Sequence, residues 1–364
     1  MKKNITYLIG AGASVGALPL YIDITDRLIA FKNYIEINKD SLENEAIISD
    51  GTTLVKSIDW LLRKIEDYGP IDNFAGELSG KKDQVSINEL DKVKKILGAF
   101  FTFEQLLKED NEAFYRDEWD YSLPPSRLEY DDEMAKLIRR QIDPRYTAFY
   151  NEVLIQKDDV KKLPENVKII SWNYDLQFEL GYCRKCDCFI TEAQKNLQVF
   201  PSKIVSPDLT KSAVIKLNGT AGLFFNKEER GVLDSIIFHH NKPLKEHLFE
   251  ILNVFSDRWS SQSEVINAIY FGFRNEPLPK QARQIAKRIL SETETLVIVG
   301  YSFPSTNKIV DREIFSEAKK IGKIFYQVPK VTFEGRSNRI EKLNSDFTTL
   351  IEHYPDMDNF CYPD

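Results

Sequence analysis

Four short stretches of this 364-residue chain hold residue types that could do chemistry: Gly10-Ala11-Gly12-Ala13-Ser14, Trp172-Asn173-Tyr174-Asp175, Asn218-Gly219-Thr220-Ala221-Gly222 and Gly300-Tyr301-Ser302. In the first, Gly10 and Gly12 lack a Cβ, so a pyrophosphate could approach the main-chain N–H groups, and a helix N-terminus behind the loop would favour the anion. The stretch departs from the full G-x-G-x-x-G fingerprint, because Val15 holds the third position and the next glycine is Gly16. Glu36 closes a helical run and Asp40 lies in a polar loop, so neither makes a convincing ribose ligand. A tight structural turn is the alternative reading of Gly10 to Ser14. For Asn173 it is a turn asparagine bonding its own backbone.

The elements that must position these stretches read as an α/β fold. Ile5 to Ile9, Val167 to Ser171, Ala213 to Leu217 and Thr295 to Val299 are short apolar runs of buried parallel strands, each followed at once by one of the four turns. Lys323 to Val328 is expected to be the last strand. Ligands bind outside the carboxyl ends of parallel strands, so four such turns imply one rim and one site. Helical spacing is expected over 21–35, 53–68, 89–108, 131–141, 144–156 and 281–291, with the polar stretch from Asn38 to Gly51 as a break. The strand signal nearly vanishes between Ile71 and Pro125, which reads as a helical insertion. The expected organisation is a Rossmann-like core begun over 1–70, an insertion over 71–130, the rest of the core over 131–330, and a C-terminal helix and tail over 331–364.

Composition narrows the class. A 42% hydrophobic share supplies a sizeable core, and a net charge of −7 argues against a broad nucleic-acid footprint. The apolar run after Met-Lys-Lys is too short for a signal peptide, and nothing later approaches the roughly 20 apolar residues of a membrane span, so the expected location is the cytoplasm. Cys183, Cys186 and Cys188 could supply three zinc ligands, but no fourth accompanies them, and they read as reduced surface thiols on a loop. No metal is expected.

Taken in order, G-A-G-A-S, S-W-N-Y-D, K-L-N-G-T and V-G-Y-S-F-P resemble the sirtuin-like proteins, in particular their bacterial NAD-cleaving branch. Phe103-Glu104-Gln105-Leu106-Leu107 looks like a further element of that branch, with packing as its alternative reading. The resemblance implies a Rossmann-like NAD-binding fold. Gly10, Ala11, Gly12, Ala13 and Ser14, with Pro19, would hold the pyrophosphate. Gly300, Tyr301 and Ser302 would hold the adenosine side, and Gly219 and Thr220 would join the cofactor site. Asn173 would sit beside the nicotinamide ribose, and Asp175 would stiffen its turn or help position nicotinamide.

Where the family carries K-L-His-Gly, this chain has Lys216-Leu217-Asn218-Gly219. An amide is no general base near neutral pH, though it can keep hydrogen bonds to a ribose. The residue is either natural or an introduced near-isostere. The leading expectation is an NAD glycohydrolase of bacterial antiphage defence, impaired by Asn218 and restrained as a homo-oligomer or by an activating partner such as an ATPase or phage component. The competing expectations are a non-catalytic NAD or ADP-ribose sensor, an NAD-dependent protein deacylase, and an unrelated nucleotide-binding α/β protein. Deacylation is disfavoured because paired cysteines and an Asp-Phe-Arg segment at Leu18-Pro19-Leu20 are absent.

Overall fold

The computed structural model of the chain describes residues 2–20, 23–106, 142–157, 160–202, 206–226, 232–235, 244–255, 265–274, 276–343 and 350–363. Among them are the strands β1 (Ile5–Ile9), β2 (Ile155–Lys157), β3 (Val160–Lys162), β4 (Val167–Ser171), β5 (Val199–Phe200), β6 (Ala213–Lys216), β7 (Gly219–Asn226), β8 (Val232–Ser235), β9 (Val265–Ile269), β10 (Thr295–Val299), β11 (Lys323–Gln327) and β12 (Leu350–His353). The helices are α1 (Ile24–Asn38), α2 (Glu45–Tyr68), α3 (Ile71–Gly80), α4 (Gln84–Leu106), α5 (Pro144–Val153), α6 (Gln177–Cys186), α7 (Ile190–Asn196), α8 (Leu244–Val254), α9 (Pro277–Glu292), α10 (Lys308–Phe315) and α11 (Lys330–Glu341).

Seven strands form one all-parallel sheet in the order β12-β11-β10-β1-β4-β6-β5, a Rossmann-like α/β architecture. Successive strand residues point to opposite faces, so a central strand covered on both sides is apolar throughout. In β1, Ile5, Tyr7 and Ile9 enter a core shared with α1, α2, α4 and α5, while Leu8 enters a second core with α9 and α10. The chain runs outward from β1 to β4 and β6, then returns to lay β10, β11 and β12 on the other side. The order therefore reverses between β1 and β10, where an open α/β sheet leaves a crevice at its carboxyl edge.

Several expectations need correction. Helix α2 begins at Glu45, inside the stretch read as a break, because the Asn44 side chain accepts the N–H groups of Ala46 and Ile47 and caps it. The turn expected over Asn218 to Gly222 is already strand from Gly219, pairing with β9 in a small antiparallel sheet. Strand β11 is followed by one more, β12, so the segment after 330 holds a helix and a strand. Cys183 and Cys186 lie on α6, and all three clustered thiols are half-buried against the first core, so they are no surface loop. Among the described residues no group of three His, Cys, Asp or Glu could hold a metal ion, and no helix is long and apolar enough to cross a membrane.

The described part of the insertion, α3 and α4, shares the first core with β1. The acidic, aromatic stretch from Glu109, Pro124-Pro125, the helix expected over 131–141 and the pair His239-His240 lie outside the described residues.

Candidate functional site

Ile9, Ser171 and Val299 stand in register at the ends of β1, β4 and β10, and Ser171 pairs onward with Lys216 of β6. The four turns therefore leave one sheet edge side by side. Two of them touch through their backbones. A Cβ on Gly10 would lie 2.5 Å from Tyr301 Cα, and one on Gly300, whose φ is +61°, would lie 2.3 Å from the Ala13 nitrogen. Gly10, Gly12 and Ala13 spend their N–H groups on the carbonyls of Val299, Gly300 and Gly10. Close contact between turns is thus one physical reason for the glycines, and Ala11 is the exposed tip of the loop. The loop continues into a single 3-10 turn, Ala11–Ser14, and α1 starts only at Ile24, so no helix N-terminus directly backs the loop. Pro19 is half-buried in the segment between them.

Ser14 joins the first two turns. Its buried Oγ donates to Asp175 Oδ2 at 2.7 Å, accepts from Asn173 Nδ2 at 3.1 Å, and meets the Tyr146 hydroxyl at 2.8 Å. One proton and two lone pairs are then fully used. The Asn173 amide nitrogen also donates to Gly10 O at 3.1 Å, which fixes the orientation of the amide and leaves its Oδ1 without a donor among the described residues. Asp175 takes the Gln177 N–H on its other oxygen, so it does stiffen its own turn. Burial raises the Asp175 pKa, while the Lys216 ammonium opposes the rise. Lys216 is itself buried, donating to Asp175 O at 2.5 Å and paired with Glu179 at 2.7 Å.

Asn218 lies one hydrogen bond from the Asn173 turn, its Nδ2 donating to Trp172 O at 2.7 Å. Its Oδ1 accepts from Gly272 N at 2.8 Å, so both ends of the amide are committed to protein. Gly219, with φ +76°, and the buried Thr220 follow directly, Gly219 passing so close to Ala268 O that a Cβ would stand 1.8 Å away. Trp172 and Tyr270, which bond Asn218 through their backbones, and Thr220, two residues on, each leave one buried side-chain atom without a hydrogen-bond partner among the described residues: Nε1, Oη and Oγ1.

No protein-family model matches the chain, and no curated protein matches it.

Tyr301 stacks on Trp172 at 5.6 Å with 11° between the rings, joining the β10 and β4 turns. Its hydroxyl sits 2.9 Å from both oxygens of the buried Asp311, whose pKa burial pushes up to about 8. Ser302, next along, is half-buried.

Sequence reasoning missed several supporting residues. Asp143 accepts from Gly16 N at 2.8 Å, and Arg145 donates to the carbonyls of Gly12 and Ala13 while paired with Asp143 at 2.6 Å. These side chains come from the start of α5, and only tertiary folding brings them to the glycine loop. Gln105 of α4 accepts from Leu176 N at 2.6 Å, so the described part of that stretch, Phe103 to Leu106, supports the Asn173 turn as well as packing. Asp72 opens α3, which packs against the 3-10 turn Ser305–Asn307 behind β10. Asp72 is exposed, yet desolvation raises its pKa, and its charge acts on the Tyr174 and Tyr301 hydroxyls.

Proposed function

We propose that the chain binds NAD along this rim and hydrolyses the bond between nicotinamide and ribose. The single observation that carries the reading is that four segments, distant in sequence, leave adjacent parallel strands and put Asn218 one hydrogen bond from Trp172, the residue before Asn173. The resemblance of those turns to the sirtuin-like proteins supplies the reaction. Water adds to the ribose carbon as the nicotinamide bond breaks, giving nicotinamide, ADP-ribose and a proton. Nicotinamide leaves from a cationic state, so positioning and charge stabilisation supply most of the catalysis.

In this reading the uncommitted Oδ1 of Asn173 orients the attacking water or a ribose hydroxyl, and the Ser14 hydroxyl keeps the amide turned for it. Asn218, an amide, takes no proton, and the proton is released to solvent. The same resemblance puts the activity in bacterial antiphage defence in the cytoplasm, held in check by self-assembly or an activating protein partner.

The commitment of both ends of Asn218 favours a second reading, a sensor that binds NAD or ADP-ribose without cleaving it. Mixing the protein with NAD and following binding and nicotinamide release together separates the two. Release by the chain as it stands, increased in Asn218→His, is the expected result. Binding with NAD recovered intact from both forms favours the sensor, and no binding by either form refutes both readings.

A further inference from the structure

With the reacting ribose beside Asn173 and Asn218, the adenosine half of the dinucleotide lies over β10 and β11, and a specificity assigned to that half rests on the proposal that the chain binds NAD. In dinucleotide-binding sheets an acid near the adenosine ribose selects the free 2′-hydroxyl, whereas an arginine there accommodates a 2′-phosphate. Strand β11 ends in Gln327-Val328-Pro329, with no acid. The Gln327 side chain is already spent on the main chain of Asp356, Asn359 and Cys361. The first carboxylate of α11, Glu334, is exposed and 3.9 Å from Lys330. Glu36 and Asp40 belong to the last turn of α1 and the 3-10 turn after it, which pack against α2.

Arginines stand there instead. Arg336 Nη1 donates to Ser302 O at 3.0 Å and Arg339 Nη1 to Phe303 O at 2.8 Å. Their spacing of three residues on α11 puts both guanidiniums on one helix face. Each has five N–H donors, and among the described residues neither makes an ion pair or a second hydrogen bond. The Ser302 hydroxyl beside them also meets no partner among the described residues. The Tyr326 hydroxyl holds Tyr301 O at 2.9 Å, so three successive carbonyls of the turn are tied to β11 and α11. Of the two carboxylates that act on this turn, Asp311 is buried and its pKa is raised, which weakens its opposition to an anion, and Asp72 acts on the Tyr301 hydroxyl. Two guanidiniums with donors to spare and a hydroxyl on one rigid turn make a receptor for a phosphate monoester.

We propose that this group is the 2′-phosphate of NADP, held by Arg336 and Arg339, and that the chain prefers the phosphorylated dinucleotide to NAD.

Calorimetric titration of the full chain with NAD, NADP, adenosine 2′-monophosphate and inorganic phosphate tests this. NADP is expected to bind on the order of tenfold more tightly than NAD. The double variant Arg336→Gln/Arg339→Gln is expected to erase that margin, bringing the two Kd values together. Because both arginines also brace the turn, Arg339→Gln alone is the second variant, expected to stay folded by thermal unfolding and to lose part of the margin. NAD binding as tightly as NADP in the unaltered chain overturns the proposal while leaving the NAD reading intact. Inorganic phosphate binding as tightly as adenosine 2′-monophosphate reveals a general anion patch and also overturns it. If neither dinucleotide binds, the NAD reading itself fails.

Discussion

Ser14→Ala removes one oxygen on which three side chains converge, and its cost can be worked from the contacts. The hydroxyl donates to Asp175 at 2.7 Å and meets Tyr146 at 2.8 Å, both partners being buried. Losing the donor to a buried carboxylate costs about 1.5–3 kcal/mol, and leaving the Tyr146 hydroxyl unpaired about 1–3 kcal/mol. The Asn173 amide keeps Gly10 O, so its lost contact adds little to stability. The total is about 2.5–6 kcal/mol, a large part of the roughly 5–15 kcal/mol that holds a typical domain folded. Urea denaturation at pH 7 should show the midpoint falling with an unchanged slope, since the surface exposed on unfolding stays the same. A loss below about 1 kcal/mol would refute the claim that Ser14 holds the two turns together. Nicotinamide release should fall in the folded variant as well, because Asn173 loses one of its two anchors.

Two further outcomes concern desolvated acids. The folded pKa of Asp311, about 8, lies above its ordinary 3.8, so between those values the folded chain holds a proton that the unfolded chain has released. Stability from this group therefore falls as pH rises through that window, by up to about 1.4 kcal/mol per pH unit, and levels off above it. Thermal or urea unfolding from pH 4 to 8 should show a flatter profile in Asp311→Asn, and parallel profiles would contradict the assignment. Desolvation also raises the Asp72 pKa, so Asp72→Asn should likewise flatten the fall of stability with rising pH in the acid range, and parallel profiles there would contradict that shift.

The core strands were legible because sheets buried on both faces favour apolar residues, a signal broken only by Thr6 in β1 and carried by Val167, Ile169 and Ile170 in β4. Their turns were legible too, since a small or polar residue straight after such a run is conspicuous. Strand β12 was not, lying beyond the run taken as the last strand, with only four residues, Leu350–His353, on the sheet edge. Helix α2 was read eight residues late, at Thr53 in place of Glu45, because a polar stretch suggests a break unless its capping residue, Asn44, is recognised. The cysteine triplet misled in the same way: its polar neighbours Arg184, Lys185 and Asp187 suggested a loop, while the thiols face the core from the end of a helix.

By itself the sequence determined the α/β class, the turns after β1, β4 and β10 and the residues within them, because periodicity and glycine placement are local properties of the chain. Tertiary structure alone decided that Ser14 binds Asn173 and Asp175, that Arg145 and Asp143 brace the glycine loop, and that Arg336 and Arg339 grip the Ser302 turn. Those partners lie up to 161 residues apart, as for Ser14 and Asp175. The physical reason is that a hydrogen bond or an electric field depends on distance in space, and spacing along the chain says nothing of it until strand order has been set.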